Sequence, residues 1–244
     1  MNRLSLTIGA VALSILAAQA TATTIKVMDG SHDVKAGTVA GHHGLDGLGH
    51  TSKLLADSSG GWATAMASSD IIVVEQDAAD AATLATVGAW VSAGNRIIVL
   101  GGFESESGDD ILEHFLGPVT LAAVGAALEP FATTAAATGT TFGDDAATLF
   151  GLSSHHEVTS ALGGIETFYA GAGDPIVFRK AVGAGDLFYI GWDYCCGGTV
   201  ADANDWYGVL DSAIGFAGVP EPSSIALVGL AAFGFVASRR RRTV

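Results

Sequence analysis

Two β-branched runs, Ile71 to Glu75 and Ile97 to Leu100, bracket one amphipathic stretch and constrain the fold more than anything else in the chain. Both runs are apolar without alternation, as expected of strands buried on both faces. Between them, Leu84, Val87 and Val91 recur at helical spacing with Trp90 beside them, and Asp77 is placed to cap that helix. Gly94 then stops it, with Asn95 following. Strand, helix and strand in so short a span require a crossover, hence a parallel sheet with helices packed against it.

The flanking residues extend this pattern. Thr24 to Met28 reads as a first strand, followed by a Gly- and His-rich stretch to Gly49 and a helix through Leu54 and Leu55. Asp109 to Leu116 reads as a helix with Ile111, Leu112, Phe115 and Leu116 in its apolar stripe. Ala132 to Thr148 is Ala/Thr/Gly-rich and weakly patterned, either a loop or an extended excursion. Ile176 to Lys180 and Leu187 to Trp192 form a hairpin around Gly183-Ala184-Gly185-Asp186. Asn204 or Asp205 caps a last helix that turns Trp206, Val209, Leu210, Ala213 and Ile214 inward. The expected fold class is α/β: a mostly parallel sheet flanked by helices, a three-layer sandwich of flavodoxin-like or amidotransferase-like form.

The two ends are of another kind. Arg3, an apolar run from Leu4 to Leu16 and the A-x-A sequences ending at Ala20 and Ala22 have the form of a cleavable signal peptide over residues 1–22. Residues 219–244 read VPEPSSIALVGLAAFGFVASRRRRTV. The uncharged run 223–238 is shorter than the ~20 residues a comfortable span needs. Arg239, Arg240, Arg241 and Arg242 would hold its far end in the cytoplasm and leave the preceding domain outside. A plain anchor accounts for the run and the arginines, but not for Pro220-Glu221-Pro222 directly before them.

That tripartite tail resembles the PEP-CTERM sorting signal of Gram-negative bacteria. The resemblance implies an exosortase partner that processes the chain near Pro220, Glu221 and Pro222, and a membrane-held intermediate before processing. It implies export across the inner membrane to the envelope, surface or matrix, and a link to exopolysaccharide-producing, biofilm-forming cells. The domain between the two signals spans residues 23–218. Setting aside Arg3, the tail arginines and Glu221 leaves 6 basic and 24 acidic residues, a charge of about −18. So acidic a domain excludes nucleic acid as a partner and makes anionic lipid headgroups poor ones, because no basic patch can neutralise phosphates.

Two segments of the middle are similar to the class I glutamine amidotransferase-like fold, especially its ThuA-like relatives. One is IIVVEQ…LATVGAWVSAGNRIIVLGG; the other is VFRKAVGAGDLFYIGWDY…WYGVLDSAIGFA. Active enzymes of that kind place a cysteine nucleophile at the turn after the strand that corresponds to Ile97 to Leu100. Here the turn is Gly101-Gly102-Phe103-Glu104, with Ser105 the first hydroxyl. That departure argues against cysteine-dependent amide hydrolysis, and the fold likeness itself says nothing about activity. The expected protein is an exported, exosortase-sorted one whose single α/β domain is non-catalytic, with a structural or carbohydrate and matrix-interaction role.

Four further clusters carry candidate chemistry. His42, His43, Asp46 and His50 lie within nine residues and are of the types that hold Zn²⁺ or a similar divalent ion. They support the rival reading, a metal-assisted hydrolase or sugar-modifying enzyme; the four glycines of residues 41–50 favour a loop with solvated histidines. His155-His156-Glu157 is a second, smaller group. Cys195 and Cys196 are adjacent, which leaves a vicinal disulfide, two free thiols or an intermolecular bridge open. Trp192, Tyr194, Trp206 and Tyr207 suit either stacking on sugar rings or packing of the last strand and helix.

Overall fold

The computed structural model describes residues 23–28, 51–55, 59–75, 79–101, 109–123, 129–151, 155–192, 194 and 203–216. The chain runs β1 (Thr24–Met28), β2 (Thr51–Leu55), α1 (Ser59–Ser68), β3 (Ile71–Glu75), α2 (Ala81–Ser92), β4 (Arg96–Leu100) and α3 (Asp109–Leu116). Then come β5 (Leu121–Ala123), β6 (Glu129–Thr133), two 3-10 turns, β7 (Thr148–Gly151), β8 (His156–Val158), β9 (Ile165–Ala170), β10 (Pro175–Val182), β11 (Gly185–Ile190) and α4 (Ala203–Gly215).

Nine of these strands form one sheet in the order β2-β1-β3-β4-β11-β10-β9-β6-β7. The first five are mutually parallel, and β10, β9, β6 and β7 extend the sheet by antiparallel pairing. The expected fold class is the one observed: a mostly parallel sheet with helices on both faces. The antiparallel extension is wider than the single expected hairpin.

Why helices cover both faces follows from the period-two alternation of the buried strands. Ile25, Val27, Ile71, Val73, Ile98, Leu100, Phe188 and Ile190 join one core, with Trp206, Val209, Leu210 and Ile214 of α4. Met28, Ile72, Val74, Ile97, Val99, Leu187 and Tyr189 join the other, with Trp62 of α1, Val87 and Val91 of α2, and Ile111 and Leu112 of α3. A strand between two apolar layers has no face left for polar residues, which is why these runs look continuous.

Local expectations are met in most places and revised in some. Asp80, not Asp77, caps α2: its carboxylate accepts from Thr83 N at 2.7 Å, a bond that also lowers the carboxyl pKa. Asp77 lies outside the described residues. Gly94 sits just past that helix at φ +117, a conformation L side chains avoid. Thr51–Leu55 is a parallel edge strand on β1 rather than a helix, pairing Val27 with Leu54. Backbone groups on that side of β1 would otherwise be unpaired, and pairing them outweighs the weak helical pattern. Helix α4 begins at Ala203, so neither Asn204 nor Asp205 is its cap.

The weakly patterned stretch 132–148 is ordered by threonines. Thr134 and Thr140 each cap a 3-10 turn through the side-chain oxygen, accepting from Ala136 N and Phe142 N. Thr141 and Ser212 exchange side-chain-to-carbonyl bonds of 2.8 and 3.1 Å, tying the second turn to α4. Phe142 then stacks on Phe168 at 4.1 Å within the core. Hydroxyl bonds, rather than an apolar period, fix this segment.

Candidate functional site

In an open α/β sheet the loops beyond the carboxyl ends of the parallel strands form the usual ligand site. Here that edge is where β4 and β11 end. Gly101 N donates to Ile190 O at 2.7 Å, and Gly191 N donates to Ile176 O at 2.8 Å. The segment holding His155, His156 and Glu157 is laced across these ends. His156 N donates to Gly191 O at 2.9 Å, Tyr189 Oη donates to His156 O at 3.0 Å, and His155 opposes Trp192 in an antiparallel bridge.

Residues two apart in an extended segment share a face. His155 and Glu157 therefore point the same way, toward Phe131 and the glycines at the ends of β7 and β9. His155 is 1% exposed and meets Phe131 edge-on at 4.7 Å between centroids. Neither of its ring nitrogens has a hydrogen-bond partner, and Nε2 lies 3.9 Å from Glu129 Oε2. Glu157 is 8% exposed, and its Oε1 also lacks a partner.

Two glycines make room for these side chains. A Cβ at Gly151 would overlap the His155 ring, and one at Gly171 would overlap the Glu157 carboxylate. Burial, and then the neighbouring His156, lowers the His155 pKa from 6.5 to about 4. The ring is therefore neutral at pH 7, and its approach to Glu129 is not a salt bridge. Burial raises the Glu157 pKa, with Asp174 and then Glu129 adding to the effect. His155 and Glu157 are thus a buried imidazole and a buried carboxyl, each pushed toward its neutral form and left with unused polar atoms, which makes this the candidate site.

Glu129 and Asp174 carry no signal in the sequence. They lie 28 residues before and 17 after Glu157, and only the β6 and β9–β10 turns bring them near it. Of the other candidates, His42, His43, Asp46, His50, Cys195 and Cys196 lie outside the described residues, as do Pro220, Glu221, Pro222 and Arg239 to Arg242. Among the described residues, no three His, Cys, Asp or Glu side chains converge to hold a metal ion. No described helix is long and apolar enough to cross a membrane; the run 223–238 lies outside that set.

The aromatics resolve toward packing. Trp192 and Trp206 stack at 4.9 Å and 6°, and both are buried with Tyr194 in the core. Trp206 Nε1 donates to Phe150 O at 3.0 Å and Tyr194 Oη to Trp206 O at 2.8 Å. Gly101, the described residue of the turn after β4, is closely packed. A Cβ at Gly101 would lie 2.8 Å from Gly191 Cα and 3.0 Å from Tyr189 Oη, so that position holds no side chain.

The fold is shared with solved structures of low sequence identity. A cytoplasmic protein from Salmonella typhimurium LT2 superposes with a TM-score of 0.56 at 11% identity, covering 78% of this chain and 99% of its own. A protein described as ThuA-like from Bacteroides uniformis gives 0.55 at 10% identity, covering 78% and 89%. One described as a GMP synthase protein from Thermoplasma acidophilum gives 0.54 at 13% identity, covering 80% and 94%. These likenesses establish the ThuA-like, amidotransferase-like α/β fold and nothing about activity. No curated protein sequence matches the chain. The PEP-CTERM protein-sorting motif matches residues 218–242, starting two residues after Phe216, the last described residue. That motif marks the chain as an exosortase substrate, exported across the inner membrane to the envelope or cell surface of a Gram-negative bacterium.

Proposed function

We propose that the exported domain is non-catalytic and serves a structural or carbohydrate and matrix-interaction role, delivered by a temporary membrane anchor. The anchor is the run 223–238, oriented by Arg239 to Arg242 and removed by processing near Pro220-Glu221-Pro222. The observation that carries this reading is the sorting motif at 218–242. The close approach of Gly101 to Gly191 supports the non-catalytic part, since it leaves no room for a nucleophile at that position. A domain charge of about −18 suits a dispersed, hydrated envelope protein. Exosortase and the export machinery are its partners in transit, and extracellular polysaccharide is the proposed partner afterwards.

Replacing Pro220-Glu221-Pro222 by three alanines tests the reading. The variant is expected to remain membrane-bound and unprocessed while the parent chain is shortened and leaves the membrane. Unchanged size and location would contradict it.

A further inference from the structure

Both ends of the domain leave from one edge of the sheet. Thr24 begins β1, and its N–H donates to Asp70 Oδ2 at 2.8 Å. Thr23, Asp70, Gly94, Arg96, Asp186 and Phe216 line one cavity of about 390 Å³. This is the edge where the parallel strands begin, opposite the one that carries His155 and Glu157.

The exit of the C-terminal segment is held firmly. Arg96 donates through Nη1 to Ala213 O and Ile214 O, each at 2.8 Å, and through Nη2 to Phe216 O at 2.7 Å. A guanidinium on the last carbonyls of α4 also opposes the negative end of that helix. Asp186 pairs with Arg96 at 3.3 Å and with Arg179 at 2.6 Å, and Arg179 pairs with Glu166 at 3.2 Å. The Phe216 ring lies 5.9 Å from the Arg96 guanidinium carbon and 5.1 Å from that of Arg179.

Charge divides between the same two edges. Arg96, Arg179 and Lys180 belong to the edge that carries the chain ends, with Asp70, Asp186 and Glu166 near them. At the opposite edge Glu129, Glu157 and Asp174 cluster, and among the described residues none of the three pairs with Lys or Arg. An anionic lipid surface repels the second edge more than the first.

We propose that the edge carrying Thr23, Arg96 and Phe216 faces the phospholipid bilayer while the tail is embedded, held there by the short tether and not by headgroup binding, since its basic side chains are already paired. The opposite edge, with His155, Glu157, Glu129 and Asp174, is then presented outward. This rests on the reading of 223–238 as an anchor. Only Ala217 to Pro222 separate Phe216 from that run, a reach of at most roughly 20 Å, shortened in freedom by two prolines. Strand β10 has 8 residues and crosses the sheet from one edge to the other, so the two edges lie about 26 Å apart.

The test uses the full chain with Cys195→Ser and Cys196→Ser, carrying a donor dye at Ala184→Cys or at Ala172→Cys. Ala184 is exposed in the β10–β11 turn at the first edge, and Ala172 is exposed in the β9–β10 turn at the other. Each is bound to phosphatidylethanolamine/phosphatidylglycerol vesicles that carry a headgroup acceptor dye. Energy transfer is expected to be several-fold stronger from position 184 than from position 172. Flotation of the protein with the vesicles but equal or reversed transfer would overturn the orientation alone. Failure to float with the vesicles would overturn the anchor, and the orientation with it.

Discussion

Gly171 has no side chain where Glu157 needs space: a Cβ there would overlap Glu157 Oε1 and lie 3.2 Å from Phe131 Cε1. The turn after β9 is thus shaped around a buried carboxyl from β8. Gly171→Ala is expected to destabilise the domain by about 1–3 kcal/mol, the usual cost of overpacking. Adding Glu157→Ala should recover part of that loss, because the overlap is then relieved. Urea unfolding of the two variants, singly and together, measures the coupling.

His155 should make stability depend on pH. Its folded pKa of about 4 lies below the ordinary 6.5, so between these values the unfolded chain binds the proton first. Stability from this residue is complete above pH 6.5 and falls as the pH drops through that window, by about 3 kcal/mol in all. Glu157 acts with the opposite sign: its raised pKa means that stability declines as the pH rises above its ordinary 4.5. His155→Gln should flatten the acid-side slope of a urea-midpoint profile, and Glu157→Gln the slope on the rising side. Profiles that match the parent in both variants would contradict the assignment.

Arg96 braces the end of α4. Arg96→Ala leaves three helix-terminal carbonyls and Asp186 without this donor, with an expected cost of about 3 kcal/mol. Arg96→Lys should rescue little, since an ammonium cannot span carbonyls that a planar fork reaches together. Amide exchange should rise selectively in the last turn of α4. Uniform exchange across the domain would contradict a local brace.

Gly101→Ser tests the close packing at Gly101. Its Cβ would fall 2.8 Å from Gly191 Cα and 2.9 Å from Gly191 C, both backbone atoms that cannot swing aside. The expected outcome is a loss of at least about 2 kcal/mol, seen as a lowered Tm, and no gain of hydrolytic activity. A stable Gly101→Ser protein would show that position 101 has more space than these distances allow.

What the sequence discloses depends on whether the signal is local. Ile71 to Val74 and Ile97 to Leu100 are legible because burial on both faces imposes an unbroken apolar run. Gly94 is legible because the helix end needs a positive φ. Thr51–Leu55 has a helical look in sequence because its strand state comes from pairing with β1, a partner more than twenty residues away. The 132–148 segment has no apolar period, and side-chain oxygens of Thr134, Thr140 and Thr141 order it instead. In the candidate site, His155 and Glu157 stand out as neighbours, whereas Glu129, Asp174, Gly151 and Gly171 are assembled by topology alone. The sorting tail is legible because Pro220-Glu221-Pro222, an apolar run and an arginine cluster are read as linear sequence.

The intact mass of the mature protein recovered from the surface of exosortase-containing cells reports on the fate of the sorting tail. A C-terminus close to Pro220-Glu221-Pro222 is expected, with the apolar run 223–238 and Arg239 to Arg242 absent. A surface protein that still ends at Val244 would contradict that expectation.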